Sequence, residues 1–220
     1  QDPTAVAWEL KSGQTAAIAA YIGALRGSAR QSQTMNDVKQ VLLAFHNYYA
    51  AYNEFPKDIA PDGTPLLSWR VRILPYLNQS ALYNTFDLKQ PWNAAANKTS
   101  AATVVPTYSK VATGKSRVRI PLCKGSIWDM NDKITFDKML DGTSNTIAVV
   151  IVPESSSANW SEPGYLQLDE NDLVGSLFGD EDKLIAGFAD GSVSVFSKSE
   201  MTEERLRAFL TFAGKELVKR

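Results

Sequence analysis

Few residues in this chain have the chemistry to break or hold bonds. His46 is the sole histidine and Cys123 the sole cysteine. Hydrolysis by a serine or cysteine nucleophile needs a base within bonding reach and an acid to orient that base. The nearest approach to such a set is His46, in AFHNYY, with Asp141 and Ser144, in DGTSNT, far apart along the chain. His46 lies in a helical pattern between Phe45 and Tyr49, and its imidazole is expected to bond a loop carbonyl rather than activate a nucleophile. Asp141 to Thr146 reads as a turn that launches a strand, because Asp-Gly turns the chain and the Ser, Thr and Asn side chains bond nearby backbone. Cys123 has no histidine near it in sequence and reads as a small core residue. No catalytic or cofactor-binding residue is assigned.

Metal chemistry has one candidate. Asp169, Glu170 and Asp172, followed by Asp180, Glu181 and Asp182, could supply the six to eight oxygens that calcium takes. Their spacing matches no EF-hand, and a solvated acidic loop is the favoured reading, so no metal ligand is assigned. A single thiol and a single imidazole exclude a zinc site built from several thiolates or histidines.

Nucleic-acid chemistry has two candidates. The stretch Leu67–Gln79, LSWRVRILPYLNQ, sets Arg70 and Arg72 beside Trp69, as a phosphate-binding patch with a stacking platform would. Lys110, Lys115, Arg117 and Arg119 make a looser basic stretch, read as a solvated strand face. Against both, 23 Lys and Arg face 24 Asp and Glu, a formal net charge of −1. A nucleic-acid binder shows a basic excess or a concentrated stripe. Trp69 and Ile73 are therefore expected to face the core. Arg70 and Arg72 should lie off that face with their stems along it.

The elements that must position these residues divide the chain into a helical first half and a β-rich second half. The chain has 220 residues, 44% apolar and 21% charged, enough for a substantial core. Ile18, Ile22, Leu25 and Ala29, then Val38, Leu42, Phe45, Tyr49 and Tyr52, recur at helical steps from about Gln14 to Tyr52. So long a helix invites a break near Gly27-Ser28 or over residues 31–34, and Asn53 to Pro56 should stop it. Leu66, Trp69, Ile73 and Leu77 fit one helical face with Ser68 as cap; a strand through Trp69, Val71 and Ile73 is the alternative. Leu82, Tyr83 and Phe86 suit a second short helix, and Asn93 to Ser100 a loop or short helix.

In the second half, Thr103–Val105, Val118–Ile120 and Ile127 are β-branched segments between glycines and prolines. Thr146–Val152, TIAVVIV, suits a strand buried on both faces. Lys183–Ser197 reads as a hairpin about Asp190-Gly191, a two-residue turn with positive φ at both positions. A last helix should start near Thr202, with Glu203 and Glu204 in its first turn, and pack through Leu206, Phe209, Leu210, Ala213 and Leu217. The most apolar N-terminal run, Thr15–Leu25, is much shorter than the ~20 residues that span a bilayer. Gln1 without an initiator Met fits either a removed leader or an artificially chosen end.

Four phrases stand in order: NDVKQVLLAFHNYYAAYNEFP (36–56), PLLSWRVRILPYLNQSALYNTFDLKQPWN (65–93), DGTSNTIAVV (141–150) and FADGSV (188–193). Together, over about residues 26 to 215, they resemble an exported pilin-like family of unknown function expanded in planctomycete bacteria, itself similar to type IV pilins and type II secretion pseudopilins. The resemblance implies a long N-terminal helix packed on an antiparallel sheet. It also implies that Trp69, Trp92 and Trp160 anchor that packing, a sugar-stacking platform being the alternative. Two positions depart from the family pattern. Asp180 stands where its His-x9-Asp-Gly signature has histidine, and Ile151 replaces the acidic residue that commonly follows the strand. The N-terminal region, short, Ala-rich and interrupted by Gln14, Arg26 and Arg30, departs from the family's apolar prepilin helix.

The expectation is one α+β domain over residues 1–220, with residues 1–30 a helical extension and 31–220 the globular part. It would be a non-enzymatic, exported structural or assembly protein. Protein partners or self-assembly would run through the N-terminal helix, with no nucleic acid, no transmembrane segment in this chain and no required cofactor. The runner-up is a secreted polysaccharide- or small-ligand-binding module, stabilised by calcium if Asp169, Asp172, Asp180 and Asp182 gather.

Overall fold

The computed structural model describes residues 12–109, 114–129 and 133–212, with side chains from residue 15. Lys110, Ala213 and Leu217 lie outside the described residues, as do the first eleven positions. Helices α1 (Ser12–Tyr52), α2 (Trp69–Arg72), α3 (Ser80–Tyr83) and α4 (Lys98–Ala101) precede strands β1 (Lys115–Ser116), β2 (Val118–Arg119) and β3 (Pro121–Leu122). Then follow β4 (Ile147–Ile151), β5 (Ala158–Asn159), β6 (Leu166–Gln167), α5 (Leu173–Phe178), β7 (Lys183–Phe188), β8 (Val193–Ser197) and α6 (Glu203–Leu210). The protein is α+β, as its pattern implies. Two compact units divide it, residues 1–36 and 37–220.

Within the first unit α1 runs without the interruption expected at Gly27-Ser28 or over residues 31–34. An isolated glycine costs a helix only about 1 kcal/mol, and the flanking alanines and long polar side chains favour continuation. Ile18, Tyr21, Ile22 and Leu25 are exposed there.

The second unit is built on the antiparallel order β2-β4-β7-β8. All five residues of β4 are buried, as an apolar β-branched run between two neighbours should be. On one side lie Val38, Val41, Leu42, Ala44 and Phe45 of α1, each almost wholly buried and worth about 1.5–3 kcal/mol apiece for the larger side chains. Helix and sheet approach closely at Gly187. A Cβ built there would lie 2.8 Å from Val38 Cγ1 and 2.9 Å from Leu42 Cδ1, so the missing side chain is what lets α1 settle on β7. Phe45 then meets Phe55, Trp69 and Trp128 edge-on, at centroid distances of 6.1, 5.1 and 6.0 Å. A second cluster joins Phe188, Phe196 and Phe209 between the hairpin and α6. β1 with β5, and β3 with β6, make two small pairs, the latter parallel.

Several local readings are corrected. The face drawn through Leu66, Trp69, Ile73 and Leu77 is not one helix, and the strand alternative is not formed. α2 is a single turn capped by Ser68, whose side chain accepts from Arg70 N, and a 3-10 turn over Leu74–Leu77 follows because Pro75 cannot continue the donor ladder. Phe86 lies beyond α3, and Thr103–Val105 forms no strand. α6 starts on its Thr202 cap, buries Leu206, Phe209 and Leu210, and stops at Leu210. The β7–β8 hairpin has the correct strands but another turn. Gly191 N donates to Phe188 O, Phe188 N donates to Ser192 O, and only Gly191 has positive φ, 89°. That is a type I turn closed by a glycine bulge, which spares Asp190 the left-handed region.

Candidate functional site

Three of the quoted phrases meet at one junction. The imidazole Nε2 of His46 lies 2.9 Å from the carbonyl oxygen of Ala189, at the hairpin tip, and the ring rests against Phe136. A carbonyl only accepts, so Nε2 carries the proton and donates. The DGTSNT turn is sewn to the same tip: Ala189 N donates to Thr146 O and Asp190 N to Thr143 O. Inside that turn Asn145 Nδ2 donates to Asp141 O, and Thr146 Oγ1 to Gly142 O. Ser192 gives its N–H and hydroxyl to Asp190 Oδ1. His46 thus spends its bond on the hairpin, not on Asp141 or Ser144, and the arrangement braces helix, turn and hairpin together.

The acidic segments are used one by one. Asp172 caps α5 by accepting from Gly175 N, and Asp169 accepts from Asn171 N. Glu170 pairs with Arg207 at 2.8 Å, an interaction that holds its carboxyl below the usual range. Glu181 pairs with Arg117 at 2.6 Å. Asp182 offers its main-chain oxygen to Lys198 N, and Asp180 is exposed. Glu203, from the first turn of α6, accepts from Leu173 N and Val174 N at the start of α5. Among the described residues no three His, Cys, Asp or Glu side chains gather as for a metal ion. Cys123 is buried, and burial first, then Glu170, pushes its thiol up to about 11, so it is inert at neutral pH.

The basic pair of the LSWRVRILPYLNQ stretch holds the largest departure from expectation. Arg70 does not lie off the core face; it is 1% exposed. α2 has only four residues, and Trp69, Arg70 and Val71 are all buried in it, so the side chain beside Trp69 is enclosed rather than left on an outer face. Its guanidinium stacks over the Trp69 ring at 4.5 Å and donates to Val118 O on β2 and to Ser68 Oγ. Burial, then Arg119, pulls its pKa down to about 9. Its own carbonyl accepts from the Tyr108 hydroxyl at 2.9 Å. Asp58, half-buried nearby, accepts from Trp69 N and Gly164 N, and desolvation raises its pKa above the ordinary carboxylate value. Trp69 and Trp160 are buried and Trp92 half-buried, so the first two anchor the core and offer no platform for a ligand.

Arg72 has the opposite fate. It is half-buried, with Nε donating to Lys57 O and Nη2 to Asp58 O, and it forms one wall of a cleft of about 250 Å³. Tyr48, Tyr52, Glu54, Pro75, Tyr76 and Tyr83 complete the walls. Tyr48 and Tyr52, one helical turn apart, place their ring centroids at 4.4 Å, and Tyr76 meets Tyr48 edge-on. Sequence reading missed this set. Tyr48 and Tyr52 show a shared helical face, but nothing local joins them to Tyr76 and Tyr83. A second cleft of about 370 Å³ is bordered by Trp92, Asn93, Lys98 and Asn159.

A family model described as a protein of unknown function (DUF1559) matches residues 23–127. Over that span the chain is similar to this uncharacterised family, and the span takes in the first two quoted phrases but neither DGTSNTIAVV nor FADGSV. No curated protein and no solved structure matches the chain. Among the described residues no helix is long and apolar enough to cross a membrane.

Proposed function

We propose that this is a non-catalytic structural or assembly protein of the cell envelope or extracellular space, exported and pilin- or pseudopilin-like. The observation that carries the reading is the stripe Ile18, Tyr21, Ile22 and Leu25 of α1, at three- and four-residue steps and exposed. Such spacing suits helix-to-helix packing against further copies or a protein partner. The bracing role of His46 supports it, since an imidazole donating to a main-chain carbonyl holds a scaffold together. The motif resemblance to the planctomycete-expanded, pilin-like group supports it as well, and the near-balanced charge speaks against nucleic acid as the partner.

Light scattering on the intact chain, on a version lacking residues 1–30, and on a full-length Tyr21→Gln/Leu25→Gln double variant tests the reading. Assembly of the intact chain that both alterations abolish is the expected outcome. An oligomeric state that neither alteration changes overturns it.

A further inference from the structure

We infer that the tyrosine cleft at the carboxyl end of α1 is a binding site for a neutral saccharide, taking one pyranose ring or chain end. This goes beyond the assembly role and does not depend on it. Three features of the cleft select that chemistry. Beside Pro75 its walls carry four phenol rings, of which buried Tyr48 backs exposed Tyr52; exposed aromatic faces attract the C–H faces of a sugar, and phenol hydroxyls both donate and accept. Arg72 and Glu54 stand on the same rim with opposite charges, so a fixed cation meets the guanidinium and a fixed anion meets the carboxylate, while a polyol finds a donor at one and an acceptor at the other. The volume, about 250 Å³, is below the usual drug-sized range and fits a single ring.

The site is also held in shape before any ligand arrives. Asn53 ends α1 in the left-handed conformation, φ 54°, with its N–H on Tyr49 O at 2.7 Å, and so turns the chain to bring Glu54 alongside Tyr52. Arg72 is pinned by Lys57 O and Asp58 O, and the Tyr48 ring is buried. Tyr52 is left 55% exposed, the ring best placed to cover an incoming sugar. Preorganised donors and rings lose little freedom on binding, which favours even a weak ligand.

Calorimetric titration of the full chain with cellotriose, maltotriose and chitotriose, and with choline and inorganic phosphate beside them, tests the site. Saturable binding of at least one trisaccharide, with Kd near or below about 1 mM, is expected, weakened about tenfold or more by Tyr52→Ala and by Arg72→Lys. Lys98→Ala, on the rim of the second cleft, should leave it unchanged. Circular dichroism confirms the fold of each variant, and the exposed Tyr52 is the decisive one if Arg72→Lys unfolds. No saturable trisaccharide binding overturns the inference. So does binding of choline or phosphate instead, and so does sugar binding that Lys98→Ala weakens and Tyr52→Ala does not.

Discussion

The junction around His46 and the cleft around Tyr52 lie on the same helix, less than two turns apart, yet they differ in what their polar groups do. At the junction the imidazole, the DGTSNT turn and the hairpin tip spend their bonds on each other and on main chain. In the cleft the phenols, Arg72 and Glu54 line an open volume. One set of motif residues therefore supports the fold, whereas another, drawn from the first two quoted phrases, lines an open cleft. Residues that look reactive in sequence are a poor guide to which polar groups a tertiary structure leaves at a cavity wall.

That contrast can be broken or sharpened by mutation. The largest effect is expected at the close contact that seats the junction: Gly187→Ala pushes a methyl into Val38 and Leu42 and should cost about 1–3 kcal/mol in urea unfolding. A neutral result would mean α1 does not rest on β7 as described. His46→Ala should come next, at about 1–2 kcal/mol, because Ala189 O loses its donor and Phe136 its ring contact. It should leave sugar affinity untouched; a variant that lost binding with full stability would reverse the two assignments.

Asp58 links the contrast to pH, since its main chain pins Arg72 while its carboxylate is partly desolvated. Burial raises its folded pKa above the unfolded value, so the folded state holds the proton longer. Its contribution to stability therefore declines as pH rises from the ordinary carboxylate value through the raised one. Urea unfolding at about pH 4 and about pH 7 should show the wild type losing ground to Asp58→Asn at the higher pH. A difference that moves the other way would place the folded pKa below the unfolded one. The smallest stability effect belongs to Tyr52→Ala, within about 0.5 kcal/mol, because an exposed ring holds little of the core. Its cost should appear in ligand affinity alone. Calcium, added or chelated, should leave the melting temperature unchanged, since the acidic side chains are spread over caps and ion pairs.

Much of the scaffold was legible because its signals are local. TIAVVIV suits a buried strand and forms one; Thr202 with two glutamates suits a helix start and caps one; and His46 in its helical pattern pointed to a carbonyl partner, found at Ala189. The hairpin strands were legible too, but its turn was not, since Asp190-Gly191 serves a bulged turn as readily as a two-residue one. Arg70 was misjudged because periodicity supposes a helix long enough to separate two faces, whereas in four-residue α2 Trp69, Arg70 and Val71 are all buried.

By itself, then, the order of residues determined the long first helix, the buried strand, the hairpin strands and the caps at Ser68 and Thr202, since these follow from backbone sterics and patterning within a few residues. Only the tertiary structure decided that Arg70 is buried while Arg72 borders a cleft, that Gly187 admits α1, and that Tyr48 and Tyr52 meet Tyr76 and Tyr83. Burial and cavity walls depend on which distant segments close over a residue, and no spacing along the chain records that.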